Sequence, residues 1–302
     1  MSADARSHLL AGIGLLIAGV WTLSLLDCAG KTLALMGFSI VLISWVRYFG
    51  HCVVLAAVFG PRHHGRLLRV SAPGLQVLRG LIMLATTVLF FSSLKRLPLA
   101  EATAINFCTP LFVVALAPLV LGETSRGSRW LGVALGFCGM LIVVRPGGQL
   151  DTLGVCIGLI NALCNASYQL LTRKLATRDE PLAMLFWSGA VGFLVSSCAV
   201  PWFWPSQPLS ELQWAIFVST GLTGALGHYL VILAFRRAPA ATLSPFMYIQ
   251  IASATALGAL VFGQRPDALS ALGIAIICGG GLFVAFTEQR RLRGHASAVA
   301  TR

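Results

Sequence analysis

The side chains able to do chemistry in this chain are a small set of polar groups placed inside long apolar stretches. A polar group at such a position is costly unless it faces other protein or a cavity, so each is a candidate site residue. Gly158, Asn161, Asn165, Tyr168 and Thr172 recur at helical spacing and fall on one stripe. Amides and hydroxyls supply donors and acceptors without a net charge, which suits a polar ligand in a dry cavity; hydrogen bonding between neighbouring helices is the alternative use. Thr103, Asn106 and Pro110 form a second stripe, where proline is expected to free a backbone carbonyl for a ligand or hinge, or to make a packing kink. Ser244, Tyr248 and Thr255 form a third, with Gln250 close by. Tyr248 can stack on a planar ligand or pack as an ordinary aromatic. His228 follows Gly221 and Gly224 on one face, where ligand binding, titration and quiet core packing are all open. Trp21 completes the set expected to touch a ligand.

Four charged residues, Asp27, Glu101, Arg47 and Arg79, are expected with Pro110 to couple or gate the site. Arg47 lies near the middle of its stretch and needs a partner, for which Asp27 and Glu101 are the available acids. Either carboxyl is a candidate proton carrier, and Glu101 can equally cap the helix it begins. Arg79 comes about one turn into its stretch, where reaching back to lipid headgroups is the simplest role. The eight cysteines stand singly in apolar stretches, without paired or metal-ligand spacing. No G-x-x-x-x-G-K-[ST] pattern occurs, so neither a metal, a cofactor nor direct use of ATP is indicated.

The elements that must position these groups are ten apolar runs, near 9–29, 35–59, 74–94, 100–121, 129–145, 153–172, 181–201, 211–234, 240–262 and 268–287. The chain is 57% hydrophobic and 11% charged, with a mean hydropathy of +0.84. Soluble domains carry about 25% charged residues. Each run approximates the ~20 residues that take a helix across ~30 Å of hydrocarbon. An all-α polytopic membrane protein of ten transmembrane helices follows. The net charge of +12 lies between the runs rather than on one soluble face, which argues against nucleic acid. With the N-terminus inside, 15 of the 22 basic residues fall in cytoplasmic segments, five on the opposite side and two, Arg47 and Arg79, within runs. Both termini are therefore expected in the cytoplasm, with the chain in a bacterial inner membrane.

A shift of 141 positions lays Lys95-Arg96-Leu97-Pro98 on Arg236-Arg237-Ala238-Pro239, Gly122-Glu123 on Gly263-Gln264, and Leu131-Gly132 on Leu272-Gly273. The charged corner with its proline signals duplication, with halves at 1–147 and 148–302. Five helices is an odd number, so the second half must begin on the opposite side of the membrane. That gives an inverted five-plus-five repeat, an architecture used by transporters whose sites lie between the halves.

Leu78-Arg79-Gly80, Phe90-Phe91, Leu97-Pro98-Leu99-Ala100-Glu101-Ala102, Pro110-Leu111-Phe112, Leu121-Gly122-Glu123, Arg129-Trp130 and Arg145-Pro146-Gly147 resemble the drug/metabolite transporter superfamily, specifically its ten-helix EamA-type members. The resemblance covers essentially the whole chain. It implies a secondary transporter moving a small metabolite, such as an amino acid, a flavin or a nucleoside-like compound, by alternating access. Expected partners are that substrate and the lipid bilayer, with a homodimer left open. Two departures from the family pattern are Gln264 where a glutamate is common and Tyr248-Ile249-Gln250 in place of the proline-containing stretch at Pro110. A membrane-embedded enzyme acting on a lipid-linked substrate is the competing function. It would bring clustered histidines or acids to one interface, whereas the six histidines and ten acids here are scattered.

Overall fold

A computed structural model describes residues 3–63, 65–121, 127–145, 150–238 and 243–300. Among them the chain forms helices and no strand. The helices are α1 (Ala3–Leu35), α2 (Ile40–His63), α3 (Pro73–Arg96), α4 (Leu99–Asn106), α5 (Thr109–Leu121), α6 (Gly127–Val144), α7 (Thr152–Leu175), α8 (Pro181–Ala199), α9 (Glu211–Arg237), α10 (Ile249–Phe262) and α11 (Ala268–Ala300). Among the described residues, seven segments are long and apolar enough to cross a membrane, and three shorter apolar helices accompany them at Ala134–Val144, Phe246–Phe262 and Ala268–Phe283. Large apolar side chains such as Leu119, Trp202 and Leu260 point outward and exposed, which suits lipid rather than water.

Local chemistry sets the helix ends. Proline opens α3 and α8, where its missing N–H costs nothing. Asp151 caps α7 by accepting from the Gly154 N–H, and Ser210 forms a reciprocal capping box with Gln213 at α9. Gly263 ends α10 with a left-handed backbone (φ +64°) that other residues adopt at a cost.

The sequence offset of 141 reappears in these boundaries. The starts of α2 and α8 fall at 40 and 181, the ends of α3 and α9 at 96 and 237, and the ends of α5 and α10 at 121 and 262. Packing repeats as well. The α1–α9 interface has its counterpart in α7–α3, and α2–α9 in α8–α3. Gly50 meets Gly221 so closely that a Cβ on either would lie 2.7–2.8 Å from the other's Cα. The offset equivalents, Val191 and Gly80, are likewise in contact. At the α2–α8 crossing, Tyr48 lies against Gly192 and His51 against Gly189. Numbers rise along one helix as they fall along the other, so α2 and α8 run antiparallel there.

The expected single helix over 100–121 is broken at Phe107–Cys108 into α4 and α5. Pro110 has no N–H to offer the carbonyl of Asn106, which accepts from the Thr109 hydroxyl instead, at 2.7 Å. Pro110 sits exposed in the first turn of α5, whereas Thr103 is buried, so the break parts the proposed stripe. All eight cysteines are free thiols.

Candidate functional site

A cavity of about 170 Å³ lies where α1, α2, α3, α4, α7, α9 and α10 converge. The stripe on α7 builds one wall with Asn161, Asn165 and Tyr168. Asn106 reaches the same cavity because it ends α4 at the break. Its Oδ1 accepts from Asn161 Nδ2 at 3.0 Å and from Asn165 Nδ2 at 3.4 Å, joining three amides. Asn161 is 2% exposed, yet its own Oδ1 has no hydrogen-bond partner among the described residues. A buried acceptor without a donor costs free energy, which a ligand N–H or O–H in this cavity would offset.

Charge enters the cavity from the opposite wall. Asp27 on α1 and Arg47 on α2 both line it, the carboxylate lying in the field of the guanidinium and accepting from the Gln250 amide. Arg47 donates to the Thr87 hydroxyl, which also bonds the Tyr48 hydroxyl at 2.6 Å. Its guanidinium stacks on the rings of Tyr48 and Phe91, at 5.2 and 6.0 Å from their centroids. Phe90 and Phe91 add apolar faces. His228 completes the lining, its ring 6.2 Å from that of buried His51.

Beyond Tyr168 a cluster of hydrogen bonds clamps the two halves together. Arg79 is 3% exposed, so it does not reach to headgroups. It donates to Thr172 Oγ1 (2.8 Å), Gln76 Oε1 (3.0 Å), the Met184 carbonyl (2.7 Å) and the Tyr168 hydroxyl (3.0 Å). The Tyr168 ring also lies 4.9 Å from the guanidinium carbon, so one residue serves both cavity wall and clamp. Beside it, Asp179 in the α7–α8 connection accepts from the Ser71 N–H and from Gln76 Nε2, each at 2.6 Å. Burial pushes the Asp179 carboxyl up, but hydrogen bonds from Ser71 and Gln76, with the nearby Arg79 charge, together outweigh it and hold the group below the usual carboxylate range.

The remaining sequence candidates lie elsewhere. Trp21 is 40% exposed and does not line the cavity. The Thr103 hydroxyl is used within α4, bonding the Leu99 carbonyl at 2.8 Å. Tyr248 packs on Phe107, ring centroids 5.1 Å apart, with its hydroxyl against Gly281. Glu101 lines a second cavity, and the Ser244 side chain lies outside the described residues. Thr86, Thr87 and Met83 line the site without having been singled out in the sequence. The two threonines are polar groups in an apolar run and carried the same signal as Asn161; Met83 carried none.

The chain matches the EamA-like transporter family twice, over residues 9–145 and again over 152–286. It belongs to that family. This EamA-type chain is 26% identical to an S-adenosylmethionine uptake transporter of Rickettsia felis over 296 residues, covering 97% of this chain and 99% of the relative. It is 26% identical to a riboflavin transporter of Rhizobium johnstonii over 253 residues, covering 81% of each. A solved crystal structure superposes with a TM-score of 0.65 at 21% identity, over 95% of this chain and 99% of that one, and shares the fold. The protein is a multi-pass membrane transporter of small metabolites built from two EamA repeats, and family membership sets the membrane-enzyme alternative aside.

Proposed function

We propose that the chain is a secondary transporter of the bacterial inner membrane, with both termini cytoplasmic, that carries a zwitterionic metabolite with a planar part through the central cavity by alternating access. The halves are 1–147 and 148–302, arranged as an inverted five-plus-five repeat of ten membrane-crossing helices. The antiparallel crossing of the equivalent helices α2 and α8 supports the inversion. The cavity supports the site: Asp27 and Tyr168 are offset equivalents, as are Thr87 and His228, and all four line it. An inverted repeat places its substrate at such a junction.

The observation that carries the substrate class is the unpartnered Asn161 Oδ1 in a cavity that also holds a carboxylate, a guanidinium, an imidazole and aromatic faces. An amino-acid head group with a heteroaromatic ring offers the complementary N–H, charges and π-face. S-adenosylmethionine and riboflavin, named for two relatives, each contain such a ring with N–H groups.

Alternation is supported by unlike seals at offset-equivalent positions. Asp179 bonds Gln76 at one end, and their equivalents Phe38 and Phe217 make an edge-on ring contact at 5.0 Å. One seal is polar and wettable, the other dispersive. A substrate that engages Tyr168 competes for the hydroxyl held by Arg79, which links occupancy to the polar seal.

Flux into proteoliposomes tests the proposal, using amino acids, flavins, nucleosides and S-adenosyl compounds. One class should be transported by the wild type, and Asn161→Leu should cut flux by about fivefold to about a hundredfold by removing an acceptor worth ~1–3 kcal/mol. Unchanged flux in folded Asn161→Leu protein would remove the central cavity from the account. A pH-driven flux that survives in wild type but not in Asp27→Asn would add proton coupling through that carboxyl.

A further inference from the structure

A second cavity, of about 340 Å³, opens among the end of α1, the α3–α4 corner, the start of α7 and the α10–α11 junction. Two of its three acids are already occupied. Asp151 pairs with Arg96 at 3.0 Å while capping Gly154, and Asp267 pairs with Arg145 while capping Ser270. The other charges at its base are buried: Lys31 is 1% exposed and Glu101 4%. The Lys31 ammonium donates to the carbonyls of Leu94 (2.9 Å) and Leu97, closing the last turn of α3 with two of its three protons. The Glu101 carboxyl accepts from Ser270, but its Oε2 has no hydrogen-bond partner among the described residues. The base of the cavity thus holds an unfilled carboxylate oxygen in the field of an ammonium whose third proton has no hydrogen-bond acceptor among those residues, the nitrogen lying 5.3 Å from the Phe262 ring centroid, and exposed Arg265 stands in the lining.

A ligand that satisfies both must carry an N–H-bearing cation and an anion close together. We infer that this cavity is a second binding site, for a zwitterionic ligand of the amino-acid type, with Glu101 taking the ligand's ammonium and Lys31 with Arg265 its carboxylate. Five bases against three acids in the lining favour capture of the anionic end. Asp27 of the central cavity and Lys31 are four residues apart on α1, about 6 Å along the helix. The second site is therefore a vestibule one helical turn from the central one. The inference rests on the transport reading for the ligand's onward route, while the site itself is assembled from its own residues.

The ammonium–anion pair is also that of a phosphatidylethanolamine headgroup, and the test separates the two sources. The full chain is placed in phosphatidylcholine nanodiscs, whose quaternary headgroups have no N–H, and its melting temperature is followed with free amino acids and S-adenosylmethionine. An alkylamine and a simple carboxylate serve as single-charge controls, and phosphatidylethanolamine is titrated in separately. The expected result is a rise with at least one zwitterion and with neither control, retained in part in Asn161→Leu and lost when Glu101→Gln is added to it. Arg265→Ala, a change at an exposed position that leaves the buried base intact, should need roughly fivefold more ligand for the same rise. A rise with phosphatidylethanolamine alone, lost in Glu101→Gln, supports the recognition chemistry and assigns the occupant to the lipid. A rise lost in Asn161→Leu but kept in Glu101→Gln and Arg265→Ala leaves only the central site and overturns the inference, as does no rise with any zwitterion or lipid. Failure of the transport reading shows separately, as unchanged flux in Asn161→Leu protein.

Discussion

Replacing Arg79 by lysine keeps the charge of the clamp but removes its planar fork. Arg79 serves Thr172, Gln76, Met184 and Tyr168 from three nitrogens spread across one plane. A lysine has one nitrogen with three protons and cannot reach all four partners. If two of the four bonds are lost, at about 1.5 kcal/mol each for a charged donor, the closed end loses ~3 kcal/mol. Burial at 3% exposure leaves little solvent screening to reduce that figure. At 1.4 kcal/mol per tenfold, the open fraction of this end rises by ~10². Met184 reports the change, because its side chain is buried while only its carbonyl serves the clamp. With the eight native cysteines replaced by alanine, the rate at which a membrane-impermeant thiol reagent modifies Met184→Cys should rise ~10²-fold on adding Arg79→Lys. An unchanged rate in a protein with an unchanged melting temperature would refute the assignment of Arg79 as a clamp between the halves.

Three further predictions follow from the packing, the polar seal and the Arg145–Asp267 pair. Gly221→Ala places a Cβ 2.7 Å from the Gly50 Cα, and backbone cannot give way as a side-chain tip can, so the melting temperature should fall by the equivalent of ~1–3 kcal/mol. Asp179 is held below its ordinary range, so its contribution is present above the unfolded value near 3.9 and is lost as pH falls through the folded value. The stability difference between wild type and Asp179→Asn should be constant from about pH 8 to about pH 5 and narrow below about pH 4. The Asp267 carboxyl, held at about 2 chiefly by the Arg145 hydrogen bond, should likewise stay ionised throughout that range.

Spacing alone made the α7 wall legible, because Asn161, Asn165 and Tyr168 can share a cavity only if the run is helical and that stripe faces inward. The repeat was equally legible: the offset of 141 seen in Lys95-Arg96 and Arg236-Arg237 recurs at helix boundaries and at the glycine contacts. Facing direction was harder to read. Arg79 near a helix start looks like a headgroup anchor, and only the tertiary arrangement reveals Thr172, Gln76 and Met184 around it. Proline at 110 announced a break, but its location depended on the Thr109 hydroxyl taking over the Asn106 carbonyl, which moved Pro110 off the stripe and delivered Asn106 to the cavity. Tyr248 had two readings at its spacing, ligand stacking and ordinary packing, and its ring lies against Phe107.

The central claim is that the transported compound sits against Asn161, Asp27 and the aromatic wall of α3. Thr86 lines that cavity and tolerates a thiol of similar size, so Thr86→Cys in the cysteine-replaced chain reports occupancy directly. The compound class returned by the flux screen should protect this thiol from a small permeant reagent in proportion to its own binding, and Asn161→Leu should abolish the protection. Transport of a compound that leaves Thr86→Cys fully reactive at saturating concentration would contradict the account and place the substrate elsewhere.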